Sequence, residues 1–204
     1  MSGSLVYVMG PSGSGKDSLL RRAREVLTTR PADLASLCFA HRYITRPVSL
    51  DAENHIALSP AEFEARRRAG LFALHWHSHG LDYGIGVEIE SWLAQGMTVV
   101  VNGSREHLHA ARQRFAQLRA VLIDVSLATQ RQRLLARGRE DARAVEARLS
   151  RTASLGGVVD ERTVLIPNEG SLAQGTERLL QVLRGVNGGM RPALQTDPDT
   201  ARAA

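Results

Sequence analysis

Lysine is almost missing from this 204-residue chain: lysine and arginine together number 26, and only Lys16 is lysine. A bias that strong towards arginine makes the single lysine conspicuous, because a compact ammonium group is kept where a planar guanidinium does not serve. Cysteine is equally scarce. Cys38 stands alone, which excludes an internal disulfide and fits a reducing compartment, so a cytoplasmic location is expected. No run approaches the ~18 apolar residues of a membrane span, and no signal-like segment opens the sequence. Aromatic residues make up only 4%. The net charge of +5 could suggest nucleic acid, but the arginines are spread along the chain with few aromatics between them. Anionic small molecules account for them as well, and neither a nucleic-acid nor a membrane partner is expected.

What is present is an ordinary globular composition, 43% hydrophobic and 23% charged, over a length that forms one domain with room for insertions. Near its start the apolar run Leu5–Met9 leads into Gly10-Pro11-Ser12-Gly13-Ser14-Gly15-Lys16-Asp17-Ser18 and then into a helical pattern. Strand, glycine-rich turn and helix in that order predict a phosphate-binding loop. Glycines let backbone N–H groups turn around phosphate oxygens, and the helix N-terminus adds partial positive charge. Lys16 can reach the terminal phosphates. One position departs from the pattern: Asp17 stands where a hydroxyl residue normally follows the lysine.

Further along, apolar runs at 37–40, 97–101, 120–125 and 163–166 predict buried strands, alternating with helices at 18–28, 87–94, 104–115, 126–136 and 172–183. Such alternation predicts a parallel sheet covered on both faces. Between residues 48 and 86 the rhythm breaks. A strand at 55–58, a helix capped by Ser59-Pro60, an extended segment at 71–77 and a turn-rich stretch at 79–84 predict a small inserted lobe. A second arginine-rich helix is expected over 141–153. The tail at 188–204 lacks periodic apolar residues and is expected to be disordered.

The order of motifs resembles the guanylate kinase-like branch of the nucleoside monophosphate kinases, from Leu5 to about Leu183. After the loop come Thr45-Arg46, then Ser59 to Phe63 with Gly70-Leu71-Phe72, then His79-Gly80-Leu81-Asp82-Tyr83-Gly84, and finally Arg131 to Arg139 with Glu146-Ala147-Arg148-Leu149. The resemblance implies an α/β three-layer P-loop kinase fold with an acceptor-binding lobe at 42–86, a core at 1–41 and 87–187, and an arginine-rich lid at about 137–150. It departs where that branch reads guanine: Leu74, Ile85 and Ser104 replace polar or acidic groups, and Ser49 replaces a second phosphate-gripping arginine. A pocket stripped of hydrogen-bonding partners should reject the base. Arg42, His55, His75, His77 and His79 are what arrived instead. Together with Glu53-Asn54-His55-Ile56-Ala57-Leu58, these features closely resemble the ribose 1,5-bisphosphate phosphokinases of the carbon–phosphorus lyase pathway, which implies a baseless sugar bisphosphate as acceptor. A guanylate kinase-type enzyme and a non-catalytic binding module are the competing expectations.

On this resemblance ATP is the co-substrate, held by Gly10 to Ser18 with Lys16 on its phosphates and Asn168 near its adenine or ribose, although a loop-capping role for Asn168 is equally open. Arg42, Thr45, Arg46, His77, His79 and Tyr83 are the expected acceptor contacts, and Arg139 and Arg148 the lid arginines at the transferring group; Arg131 and Arg137 stay even between function and surface. Asp17 could ligate Mg²⁺, Ser18 could supply a hydroxyl to it, or Asp17 could only cap the helix. His75, His77 and His79 share one face if their segment is a strand, which leaves zinc, phosphate contact or packing open. His107 and His109 are expected at the surface.

Overall fold

The computed structural model describes residues 3–29, 36–47, 55–136, 138, 145–146, 149–150 and 160–187. Arg137, Arg139, Arg148 and the expected tail at 188–204 lie outside the described residues, as does Ser49.

Five strands form an all-parallel sheet in the order β2 (Leu37–Phe39), β7 (Thr98–Asn102), β1 (Ser4–Met9), β8 (Arg119–Asp124) and β9 (Thr163–Pro167). Their near-continuous apolar sequences follow from burial on both faces. Side chains alternate across the sheet. Val6 and Val8 point to one side, into a cluster with Leu19, Ala23 and Leu27 of α1 (Lys16–Thr28) and Leu179, Leu180 and Leu183 of α6 (Leu172–Asn187). Leu5, Tyr7 and Met9 point to the other, against Ile89 of α3 (Glu88–Ala94) and Leu108 and Ala111 of α4 (Leu108–Arg114). This is the expected three-layer α/β architecture.

A second sheet of four strands has the order β4 (His55–Ala57), β3 (Arg42–Ile44), β6 (Leu81–Gly86) and β5 (Phe72–Ser78). Helix α2 (Pro60–Arg68) begins where expected: the Ser59 hydroxyl accepts from Glu62 N at 3.1 Å, with Pro60 in the first turn. It stacks Phe63 on Phe72, ring centroids 4.6 Å apart.

Two local expectations are corrected. The stretch at 79–84 is a two-residue turn followed by strand β6, so His79 lies in the turn, at φ +51°, and does not continue the strand face of His75 and His77. Asp82, Gly84 and Gly86 are poor strand formers, but pairing with β3 and β5 on both sides outweighs propensity. Gly84 is required there, since a Cβ would sit 2.6 Å from the Phe72 ring. Helix α4 starts at Leu108, not at residue 104. The Tyr7 hydroxyl, brought up from β1, accepts from Ser104 N at 2.9 Å and donates to Ser104 O at 3.0 Å, which engages the backbone a helix would use.

Candidate active site

The loop 10–18 leaves the carboxyl end of β1 and enters α1 in the middle of the parallel sheet, where crevices for ligands form. Gly13 and Gly15 take φ +86° and +84°, a left-handed backbone that other residues resist. At Gly15 a Cβ would also lie 2.8 Å from Asn168 Nδ2. Behind the loop, Gln130 Nε2 donates to Ser12 O at 2.7 Å, Asn168 Nδ2 to Ser14 O at 2.7 Å and Arg133 Nη1 to Ser14 O at 3.3 Å. In a planar trans peptide, C=O and N–H point opposite ways. Drawing the Ser12 and Ser14 carbonyls outward therefore turns the Gly13 and Gly15 N–H groups inward, the arrangement that receives an anion.

Gln130 is fully buried on α5 (Leu127–Ala136), and Arg133, one turn on, also donates to Asn168 O at 2.8 Å. Neither was expected to brace the loop, although their i, i+3 spacing beside Leu134 already placed them on one helix face. Asn168 is 5% exposed and its amide donates to Ser14 O, a contact with the loop itself. Arg131, on the outer side of α5, pairs with Glu146 at 2.7 Å.

At the mouth of the loop, Lys16 Nζ donates to Asp17 Oδ1 at 2.9 Å and to Asn102 Oδ1, while Asn102 Nδ2 donates to Asp17 Oδ1 at 2.8 Å. Burial alone would raise the Asp17 pKa; the Lys16 charge, then the Arg42 charge, and the bonds from Lys16 and Asn102 outweigh it and hold the carboxyl well below the usual range. The Asp17 side chain is nonetheless 45% exposed, so it stays in contact with solvent while ringed by protein. Among the described residues both bonds fall on Oδ1, which leaves Oδ2 as the oxygen to offer a cation. A hard carboxylate oxygen next to the Ser18 position suits Mg²⁺, which takes few protein ligands.

Facing this corner is one side of the four-stranded sheet. Register puts Arg42 level with His55 and Ile44 level with Tyr83, so Arg42, His55, Tyr83 and Trp76 lie on the face that also carries the buried Leu74 and Ile85. The Arg42 guanidinium sits 5.2 Å over the Tyr83 ring, Tyr83 stacks on Trp76 at 5.5 Å and 7°, and Trp76 stacks on His107 at 5.2 Å. Both His55 ring nitrogens are buried and make no hydrogen bond among the described residues. Arg46 follows two residues after Ile44, half-buried.

Other expected acceptor residues are not brought here. His77 pairs with Asp82 Oδ1 at 2.8 Å on the opposite, solvent-facing side, because it is one residue out of phase with Trp76. His79 is exposed in the turn. The Thr45 hydroxyl accepts from Asp82 N at 2.9 Å and ties β3 to β6. His107 is not at the surface: it is half-buried beneath Trp76, and burial, then the nearby His75, lowers its pKa from the ordinary 6.5. No group of three or more His, Cys, Asp or Glu able to hold a metal occurs among the described residues. Leu74 and Ile85, 4% and 0% exposed, are paired to each other and sealed into the core, with no polar group to read a base.

No protein-family model matches the chain. Among solved structures, guanylate kinase from Anaplasma phagocytophilum superposes with a TM-score of 0.62 over 90% of this chain and 86% of that one, at 14% identity, a likeness of fold alone. Curated relatives are far nearer. Ribose 1,5-bisphosphate phosphokinase from Desulfomicrobium baculatum is 54% identical over 175 residues, 86% of this chain and 91% of its own. The enzyme of that name from Thiobacillus denitrificans is 50% identical over 189 residues, 93% of this chain and 97% of its own. Identity at that level along nearly the whole of both chains, over a P-loop kinase fold, places the protein in the ribose 1,5-bisphosphate phosphokinase family.

Proposed function

We propose that the protein transfers the γ-phosphoryl group of ATP to the 1-phosphate of ribose 1,5-bisphosphate, forming 5-phosphoribosyl 1-diphosphate and ADP, as a cytoplasmic enzyme of phosphonate use. The observation that carries this reading is the proposed acceptor face: Arg42 lies over Tyr83 with His55 level with it on the neighbouring strand, whereas the positions matching base recognition hold buried Leu74 and Ile85. A baseless sugar with two phosphates suits that surface, and a guanine does not.

An acceptor phosphate is already ionised at neutral pH, so no general base is required, and rate comes from positioning and charge neutralisation. The inward amides of Gly13 and Gly15, with Lys16, hold the donor phosphates. Gly10, Pro11, Ser12, Ser14, Asp17 and Ser18 complete the cradle, with Asn168 acting behind it. Arg42, Arg46 and Tyr83 hold the acceptor, with residues 42–86 as its lobe, and Arg139 and Arg148 serve in a lid at about 137–150. Mg²⁺, held by Asp17 with Ser18 beside it, would neutralise charge on the phosphates. The test is ADP formation with ribose 1,5-bisphosphate, ribose 5-phosphate, GMP, dGMP and AMP as acceptors. Turnover confined to the bisphosphate is expected. Turnover confined to GMP would replace this reading by a nucleotide kinase.

A further inference from the structure

Asn102 ends β7 in register with Val8, directly beside the strand that feeds the loop. Its amide makes two opposite contacts there: Oδ1 accepts from Lys16 Nζ, and Nδ2 donates to Asp17 Oδ1 at 2.8 Å. Since Lys16 also donates to that same Asp17 oxygen at 2.9 Å, the three side chains close a ring. An amide is suited to this place because it donates to a carboxylate and accepts from an ammonium at once; an ionised carboxylate can only accept.

The charges in the ring are one positive, on Lys16, one negative, on Asp17, and none on Asn102. In P-loop NTPases a hydroxyl follows the lysine and a carboxylate comes from a strand end. Here the carboxylate follows the lysine and the strand end is neutral. Among these three side chains the negative charge sits on the loop and not at the strand end.

We propose that Asn102 is a positioning residue whose neutrality complements Asp17. The corner requires one carboxylate and one amide, at positions 17 and 102, to orient Lys16 and to present a single negative charge to the cation that accompanies ATP. A second carboxylate at 102 would face Asp17 across 2.8 Å and hold Lys16 back from phosphate. With no carboxylate at either position, Lys16 would keep its amide contacts and the cation would lose its charged ligand. The inference rests on the kinase reading but not on the identity of the acceptor.

The experiment uses the full-length chain and measures ATP affinity by calorimetry with and without Mg²⁺, together with melting temperature and the KM and kcat for ATP. Asn102→Asp should weaken metal-free ATP binding about tenfold or more through the added charge. Asp17→Asn should abolish the gain in ATP affinity that Mg²⁺ brings. The exchanged double variant, Asp17→Asn with Asn102→Asp, should recover both quantities towards the parent values, a coupling that independent sites do not show. Asn102→Ala adds no charge and keeps the test open if the aspartate variant fails to fold; it should raise the KM for ATP about threefold or more while changing kcat less. Additive losses in the double variant, or parental ATP binding in Asn102→Ala, would overturn the inference. Failure of ribose 1,5-bisphosphate as acceptor with this coupling intact would overturn the acceptor assignment alone.

Discussion

Around the donor loop, Gln130, Arg133 and Asn168 hold two carbonyls outward through directed hydrogen bonds. On the face proposed for the acceptor, Arg42, Tyr83, Trp76 and His107 form a continuous run of ring contacts. Hydrogen bonds weaken steeply as their angles open, whereas stacked rings keep favourable contact over centroid distances of about 4.5–7 Å. The loop is thus a preformed cradle, while the facing sheet offers a broad aromatic and cationic surface. A phosphoryl transfer needs the first to be stiff, because the loop amides must already point inward when ATP arrives. The second has to bring the attacking phosphate oxygen in line with the transferring group, which is a matter of positioning.

The largest break in this contrast should come from Lys16→Met, which removes the ammonium group bonded to Asp17 and Asn102 at the loop mouth. About a thousandfold loss of kcat is expected, with the fold retained by circular dichroism. Gly15→Ala follows: it combines φ +84° with a Cβ 2.8 Å from Asn168 Nδ2, and should cost about 2 kcal/mol of stability by denaturant melting as well as ATP affinity. On the acceptor side, Arg42→Gln should raise the KM for the sugar bisphosphate about tenfold while moving the KM for ATP much less. Equal effects on both substrates would erase the division into halves. Gln130→Ala touches neither substrate, so a rise of about fivefold in the KM for ATP, with that of the acceptor unchanged, would show that bracing acts through the loop.

The smallest effect concerns the stack. His107 titrates below the ordinary 6.5 when folded, mainly because of burial and then because of His75. The unfolded chain therefore binds the proton first as pH falls, and stability is lost on acidification through 6.5 and below. His107 is only half-buried, so the slope should stay well under the ~1.4 kcal/mol per pH unit of a full proton. His107→Gln should flatten that part of the stability–pH curve; an unchanged slope would remove His107 from the account.

Much of the donor half was legible because it is local. The loop, the strand before it and the helix after it occupy one continuous segment, and glycine, lysine and helix N-terminus carry their meaning in a fixed spacing. The acceptor half is less local. Whether His77 or Trp76 shares a face with Tyr83 depends on the register of β5 against β6, and one residue of register moves every side chain to the other face. The stretch at 79–84 was expected to be all turn, and its last four residues are strand because the hairpin closes over His79 and Gly80 alone. His107 was expected outside and is covered by a tryptophan 31 positions earlier, a contact no spacing within α4 encodes.

By itself, then, the amino-acid sequence determined the sheet-and-helix alternation, the loop with its lysine, and the apolar character of positions 74 and 85, since each is a property of neighbouring residues or of residue type. Only the tertiary structure decided that Gln130 and Arg133 brace the loop, that Asn102 closes a ring with Lys16 and Asp17, and that Arg42 and His55 share a face from which His77 is turned away. Those pairings join residues between 13 and 119 positions apart, and contacts at such range exist only once strands have registered and helices have packed upon them.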